Sequence, residues 1–258
     1  MGVIDSSDST LRPVVTCDFI GRLGNQMWQL ASTVQFALQN GYEVGFPSTS
    51  LNPSEWPVYF KNLPKRRGKS RVFQEKKMGV YSPIPTNYGS VRLHGFFQNY
   101  QYINHPWTIR KVKELIGYED QDPVPGVAMH IRRGDYLKHS EGYPVLSETE
   151  YYEKAIACAL PKNRPIIFTD DPLWARSQWP LWDIRPAGNP LQDLFSMSRF
   201  QDQIIANSSF SYWAAMLNPN PNKFVVCPHH SQYYGPANKH IDTTNLYPKS
   251  WHQIKYLN

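Results

Sequence analysis

The chain has 258 residues, enough for one large domain or two compact ones, so folding needs no disulfide or structural metal. Its 41% hydrophobic and 19% charged residues exclude a wholly disordered or low-complexity protein. The net charge of +6 favours an anionic partner but does not distinguish nucleic acid or anionic lipid from a phosphorylated small molecule.

The first part of the chain predicts a strand, a helix and a second strand. An apolar run at 14–19 is typical of a strand, and apolar residues spaced by three and four over 27–38 predict a helix that ends at Gly41. Residues 42–46 predict the next strand. The turn GRLGN at 21–25 precedes the helix, and such a turn favours an anion or a sugar close to the backbone.

The middle of the chain gives weaker signals. Residues 47–90 predict irregular structure or short strands, 92–100 a strand that ends in an aromatic and polar loop, and 107–117 a short helix. The sequence DPVPG at 122–126 indicates a domain boundary. We therefore expect one domain over residues 1–122 and a second over 123–258.

Regular βα units follow the boundary and predict a parallel, Rossmann-like sheet. Helix starts are indicated by a capping box at 147–150 and by the pairs Asp171-Pro172 and Asn189-Pro190. The predicted strands are the apolar runs 127–131, 166–168, 204–206 and 224–226.

Three of these strands end in polar residues, and the carboxyl ends of parallel strands share one edge of a sheet, where ligands bind. Each group taken alone is explained by surface ion pairs and helix caps, but three groups at one edge predict a nucleoside diphosphate pocket. Asp170 and Asp202 would accept from a base or ribose, and Phe210 would pack against one. The groups are His130, Arg132, Arg133 and Asp135; Asp170 and Asp171; and Asn207, Ser208, Ser209 and Phe210.

Other site types are disfavoured. Adjacent carboxylates at 170–171 would point to opposite faces of a strand, and the pair 229–230 of histidines lacks a third ligand, so we expect no metal. Phosphate-loop and serine-hydrolase motifs are missing from the sequence. Cys17, Cys158 and Cys227 predict free buried thiols.

Apolar segments and the basic run bear on where in the cell the protein is found. No membrane span or secretory signal is evident, so we expect a cytoplasmic protein. The run 65–71 predicts a solvated loop, and the sequence leaves open whether it contacts a membrane. Non-catalytic nucleic-acid binding is the alternative that the charge and the 16 tyrosines favour, but it does not explain the polar strand ends.

Four motifs, in order and spacing, resemble those of the bacterial α1,2-fucosyltransferases. They are GRLGNQM at 21–27, HIRRGDY at 130–136, FTDD at 168–171 and IIANSSFS at 204–211. The resemblance implies a GT-B architecture of two Rossmann-like domains facing across a cleft, with the donor bound by the C-terminal one and a last helix packed back on the first. It implies inverting, metal-independent transfer of L-fucose from GDP-β-L-fucose to the 2-hydroxyl of a terminal galactose; a different linkage is the nearer alternative.

Carried onto this sequence, the resemblance makes Arg132 the contact to the departing β-phosphate, with His130 and Arg133 beside it. The same motifs imply that Ser208, Ser209 and Phe210 bind the donor. Arg22 and Asn25, together with Arg133, Asp170, Asp202 and Asn207, complete the predicted donor site.

The acceptor site and the general base are less well defined. The loop after residue 94 predicts Phe97, Gln98 and Tyr100 as acceptor contacts, although a strand with an aromatic edge explains it equally well. Asp135, Glu55 and His94 are candidates for a general base. Compared with the family pattern, Trp28 stands where Phe is common and Tyr212 and Met216 where Trp is common, which we interpret as packing changes. Asp202 replaces a basic or imidazole residue.

Overall fold

The computed structural model describes residues 12–47, 49–51, 54, 57–65, 69–159 and 164–257, and within these ranges ten strands form two sheets. The strands are β1 (Val14–Cys17), β2 (Glu43–Val44), β3 (Arg71–Gln74), β4 (Val91–His94), β5 (Val124–Ile131), β6 (Ile166–Thr169), β7 (Ile184–Pro186), β8 (Phe200–Ile204), β9 (Val225–Pro228) and β10 (His252–Ile254). One sheet has the order β2-β1-β4-β3 and the other β10-β9-β8-β5-β6-β7, and all pairings between these strands are parallel. The sheets divide close to residue 122, where the sequence predicts a boundary.

Helices connect the strands and pack against the sheets. They are α1 (Leu23–Asn40), α2 (Thr108–Ile116), α3 (Tyr151–Ala159), α4 (Pro172–Gln178), α5 (Pro190–Ser198) and α6 (Ser209–Leu217). Helix α1 ends as predicted, because Gly41 has a φ of 69° and donates its N–H to the Ala37 carbonyl. In the described part of the chain, no helix has the combined length and hydropathy that crossing a bilayer requires.

Two of the three predicted helix starts are confirmed. The Asp171 carboxylate accepts from Trp174 N–H, and the Asn189 side chain caps α5 in the same way, each with proline at the first helical position. The capping box at 147–150 is wrong. Leu146–Glu148 forms a 3-10 turn instead, because the Ser147 hydroxyl is bound by Arg133 at 2.6 Å.

The predicted last helix is also wrong. The chain returns to the C-terminal sheet as the edge strand β10, whose Ile254 carbonyl accepts from His229 N–H. The segment 229–251 makes the contact with the N-terminal half that was expected of the helix. There the Tyr100 N–H donates to the Asn245 carbonyl at 2.7 Å.

The two halves share one hydrophobic core. A continuous buried cluster runs from Val15 and Leu93 of the first sheet through α1 to Trp213 of α6 and Val225 of the second sheet. A separate cluster covers the other face of the second sheet. The boundary near residue 122 therefore separates two sheets but not two cores.

Helix α1 meets α6 at the centre of the shared core, and two departures from the family pattern touch there. The Trp28 ring lies 4.6 Å from that of Tyr212 and 5.5 Å from that of Trp213, and all three side chains are buried. A larger ring at 28 is thus accompanied by a smaller ring at 212. This supports the interpretation of the two residues as a compensating packing change.

Truncation of this contact is expected to destabilise the whole chain. Trp28→Ala should lower the free energy of unfolding by about 3–5 kcal/mol, because the helix–helix contact would lose a fully buried ring. Trp28→Phe should cost clearly less, since an aromatic ring remains against Tyr212. Urea denaturation followed by circular dichroism measures both, and equal losses would contradict the assigned packing role.

Candidate functional site

A cleft of about 960 Å³ lies between the two halves and is lined by both. The N-terminal half contributes the turn 21–25 with Phe96 and Gln98. The C-terminal half contributes residues that follow β5, β6 and β8, so the predicted convergence of three polar strand ends is confirmed. A volume of this size is at the upper end of the range of small-molecule sites, about 300–1,000 Å³.

Arg132 lines the cleft and is held by two carboxylates. Its Nη2 is 2.5 Å from Asp135 Oδ1, and its Nη1 is 2.6 Å from Asp170 Oδ2. The Tyr136 ring lies against the guanidinium, 5.4 Å from centroid to Cζ. These contacts fix the direction in which the remaining N–H groups of Arg132 point.

Asp170 supports the arginine rather than a nucleoside. Its Oδ1 accepts from the Arg133 N–H at 2.9 Å while its Oδ2 pairs with Arg132. A Cβ on Gly134 would lie 2.4 Å from Asp170 Oδ2, so only glycine permits this close approach. Asp170 lines the cleft as predicted, but its oxygens are occupied by the turn that carries Arg132.

Two contacts cross the cleft from the N-terminal half. Arg22 approaches Asp135 Oδ2 at 3.5 Å. Asn25 Oδ1 accepts from Gln98 Nε2 at 2.9 Å and from the Ser209 hydroxyl at 3.1 Å. Asn25 thereby joins the glycine-rich turn to the start of α6.

The N-terminus of α6 opens into the cleft. Ser208, Ser209 and Phe210 all line it, and the Ser208 side chain makes no capping bond to the helix. First-turn N–H groups and the partial positive charge of a helix N-terminus favour a bound anion, here beside Arg132. The predicted donor residues Ser208, Ser209 and Phe210 are therefore brought to one place.

His130 is a buried, neutral neighbour of this anion site. Its ring centroid lies 5.3 Å from that of Phe210. Burial, reinforced by the charge of Arg132, lowers the pKa of the imidazole from 6.5 to about 3. Near neutral pH, His130 therefore contributes shape and polarity but no positive charge.

Arg133 does not reach the cleft, contrary to the prediction. It is buried, its Nε bonds Asp171 Oδ2 at 3.0 Å, and its guanidinium stacks on Trp174 with the Cζ 4.2 Å from the ring centroid. The side chain points away from that of Arg132 and fixes the start of α4. Of the two adjacent arginines, Arg132 is the one that lines the cleft.

Asp202 is likewise placed elsewhere. It sits within β8, opposite Val127, and accepts from the Phe224 N–H at 2.8 Å. The cleft lies beyond the carboxyl end of that strand, and Asp202 is not among its lining residues. The predicted contact to guanine is therefore corrected.

Asn207 connects three segments of the C-terminal half instead of lining the predicted site for the sugar donor. The side-chain Nδ2 of Asn207 donates to the backbone carbonyls of Pro144 and Tyr233, at 3.0 and 3.2 Å. The backbone carbonyl of Asn207 accepts from the Tyr136 hydroxyl at 2.9 Å. It is fully buried outside the cleft lining. The structure corrects its role from donor binding to positioning.

The predicted acceptor residues are divided. Gln98 lines the cleft. Phe97 is completely buried and has a φ of 54°. Glu75 Oε2 accepts from the N–H of Phe97 and from the N–H of Phe96. Tyr100 packs against the shared core and is not a lining residue. Phe96, rather than Phe97, faces the cleft.

The three candidates for a general base lie in different places. Asp135 lines the cleft, and Glu55 lies outside the described residues. His94 is not a lining residue and is bound through Nδ1 to Asp18 Oδ2 at 2.8 Å. In the part of the chain that the structure describes, no three His, Cys, Asp or Glu side chains form a group that could hold a metal ion.

The sequence reasoning missed several lining residues, and two groups of them stand out. One follows β7 and includes residues 185–188, Pro190 and Asp193, which the strand-end rule would have found had β7 been predicted. The other is aromatic. Its members are Tyr136, Tyr143, Tyr233 and Tyr234, and nothing in their spacing marks them as neighbours.

Acid should destabilise the protein through His130. Because the folded pKa is below the ordinary value, the unfolded chain binds the proton more tightly, and stability is lost as the pH falls from 6.5 towards 3. One such group contributes at most about 1.4 kcal/mol per pH unit. His130→Gln should show a flatter decline in unfolding free energy between neutral pH and pH ~5. Identical slopes in urea titrations would exclude a buried neutral His130.

Comparison with known proteins identifies a family and several relatives of the chain. Residues 89–255 match the family model "Glycosyl transferase family 11". An α-1,2-colitosyltransferase of Escherichia coli is 31% identical over 65% of this chain and 63% of its own length. Galactoside 2-α-L-fucosyltransferase Sec1 of Mus musculus is 26% identical over 80% of this chain and 65% of its own. The chain thus spans less than two thirds of the length of these curated relatives.

A solved structure supports the architecture. NodZ α-1,6-fucosyltransferase co-crystallised with GDP is similar, with a TM-score of 0.51 and 14% identity over 81% of this chain and 93% of that one. This similarity confirms the predicted GT-B fold of two Rossmann-like halves facing across a cleft. The family match covers well over half of the sequence and includes the turn that carries Arg132 and the start of α6. The chain belongs to glycosyl transferase family 11.

Proposed function

We propose that the protein transfers L-fucose from GDP-β-L-fucose, with inversion, to the 2-hydroxyl of a terminal galactose in an oligosaccharide. The observation that carries the proposal is Arg132, aimed by two carboxylates and set beside the open N-terminus of α6, in a chain of family 11. The relative named as a galactoside fucosyltransferase favours this donor and acceptor.

The order of the strands orients the donor in the cleft. The N-terminal half contacts the residues that follow β5, β8 and β9, through the pairs Arg22–Asp135, Asn25–Ser209 and Gln98–Tyr234, and β6 and β7 lie on the far side of β5. The donor nucleoside would lie at the β6–β7 end, with its diphosphate at Arg132 and the start of α6. The fucose would then project towards the end that both halves enclose.

The chemistry separates charge. The bond between fucose C1 and the β-phosphate oxygen breaks and its electron pair stays on the departing GDP, while C1 bonds to the acceptor oxygen on the opposite face. The hydroxyl proton passes to a lining carboxylate or to water. Arg132 and the α6 N–H groups would stabilise the negative charge that develops on the departing GDP. Asp135 would keep Arg132 in place and is the lining carboxylate nearest to it. A proton-accepting role for Asp135 would be contradicted by an Asp135→Asn variant with unchanged kcat.

The test is transfer from GDP-fucose to lactose, with linkage analysis of the product. We expect fucose attached through an α1,2 bond to galactose, and the same rate in the presence of EDTA, because guanidinium and backbone N–H groups would supply the positive charge. A different linkage would support the nearer alternative. Since a colitosyltransferase is among the relatives, a reaction without fucose transfer but with a colitosyl donor would replace fucose in the proposal. Failure with both donors would contradict it.

Arg132 should be essential for transfer. Arg132→Ala should lower kcat by about 10²–10³, the usual loss when one preorganised donor to developing charge is removed. Arg132→Lys should recover little, because an ammonium cannot bridge two carboxylates and still present a fixed donor. Arg110→Ala, on the exposed surface of α2, is the matched control and should be unaffected. Substantial activity in the lysine variant would contradict the assignment.

A further inference from the structure

Three tyrosines form an aromatic wall at one end of the cleft. Tyr136 stacks on Tyr143 with ring centroids 4.9 Å apart, and Tyr143 meets Tyr234 edge to face at 5.7 Å. All three line the cleft, and Tyr143 and Tyr234 are half-buried. Tyr136 also lies against Arg132, but the catalytic scheme above leaves Tyr143 and Tyr234 without a role.

The aromatic wall lies at the end opposite to the predicted nucleoside. Tyr234 follows β9, whereas the nucleoside end follows β6 and β7 on the far side of β5 and β8. Arg132 and the start of α6 separate the two ends. A second substrate that meets the donor sugar at its reactive carbon must approach from the end with the aromatic wall.

The N-terminal half closes this end with Phe96 and Gln98. The Tyr234 hydroxyl donates to Gln98 Oε1 at 3.3 Å, and Gln98 Nε2 donates to Asn25. Glu75 fixes the backbone here by accepting from Phe96 N–H at 2.7 Å. The end therefore offers ring faces and amide groups at fixed positions, the combination that a pyranose needs for its apolar face and its hydroxyls.

Buried contacts preorganise the aromatic wall. Asn207 bonds the backbone next to Tyr143 and Tyr234, through the Pro144 and Tyr233 carbonyls, and accepts from the Tyr136 hydroxyl. The side chain of Asn207 thus ties two of the segments that carry the rings, and its backbone carbonyl ties the third. Rings held in this way lose little conformational entropy when a sugar binds.

We propose that the aromatic wall, together with Phe96 and Gln98, is the subsite for the terminal galactose of the acceptor. This rests on the proposed function, since only a transferase needs a second sugar site beside its donor. Tyr143 is the specificity-determining residue at its centre. Gln98 links the subsite through Asn25 to Ser209, at the start of the helix assigned to the diphosphate.

The test measures binding rather than turnover. Titration of lactose and of methyl β-D-galactoside into the GDP-loaded protein, followed by saturation-transfer NMR, gives the acceptor affinity. Tyr143→Ala should weaken lactose binding about tenfold, which corresponds to the loss of one aromatic contact. Tyr143→Phe should bind nearly as well as wild type. GDP affinity should be unchanged in both variants, and Tyr81→Ala, outside the cleft, is the matched control.

A second variant tests the subsite if Tyr143→Ala does not fold. Tyr234→Phe keeps the ring but removes the hydrogen bond to Gln98, and it should raise the acceptor KM while leaving the donor KM unchanged. Equal lactose affinity in wild type and Tyr143→Ala would overturn the subsite, as would a parallel loss of GDP affinity or no galactoside binding by the wild type. Lactose binding without fucose transfer would contradict the proposed function but leave the subsite standing.

Discussion

The whole site depends on the close approach of two helix N-termini. A Cβ on Gly24 at the start of α1 would lie 2.5 Å from the Ser209 carbonyl carbon and 2.6 Å from the Phe210 nitrogen. The glycine therefore lets α1 and α6 meet almost backbone to backbone, and Trp28 and Tyr212 continue the contact one turn deeper. Because each half contributes one of these helices, the contact fixes where Asn25 and Arg22 stand relative to Arg132.

The electrostatics of the cleft follow from this geometry. Arg132 carries its charge between two carboxylates, Arg22 approaches one of them from the opposite half, and His130 beside them is kept neutral by burial. Opposite charges thus compensate each other before any anion enters, which limits the cost of burying the arginine. Under the proposed function, a diphosphate would meet donors whose orientation is already fixed, so little reorganisation would accompany binding.

Much of this arrangement could be predicted from the sequence, and the exceptions have physical causes. Hydrophobic periodicity located β1, β2, β4, β5, β6, β9 and α1, because it depends on local pattern, but it placed β8 late, at 204–206, and missed β7 and β10. The strand-end rule located Arg132, Asp170 and Ser208. Which of two adjacent arginines faces a cleft depends on the partners that Arg133 finds, Asp171 and Trp174, which are remote in sequence. The position of Phe97 was predicted wrongly for a related reason, since its N–H, at a residue of positive φ, is bound by Glu75, which follows β3 and is remote in sequence. The tyrosines that meet in the aromatic wall come from segments almost a hundred residues apart, a distance that no spacing rule spans.

The segment 229–251 joins the halves a second time, away from the helices. Gly79, with a φ of 80°, lies so close to this segment that a Cβ would fall 1.8 Å from the Asp242 carbonyl oxygen. Asn99 Nδ2 holds the Gly79 carbonyl at 2.7 Å, and Asn245 accepts from Tyr100. A rotation of one half away from the other would therefore break one of these two contacts or turn about the line that joins them. Under the proposed function, side-chain and loop motion at the rim would let nucleotide exchange while both contacts stay intact.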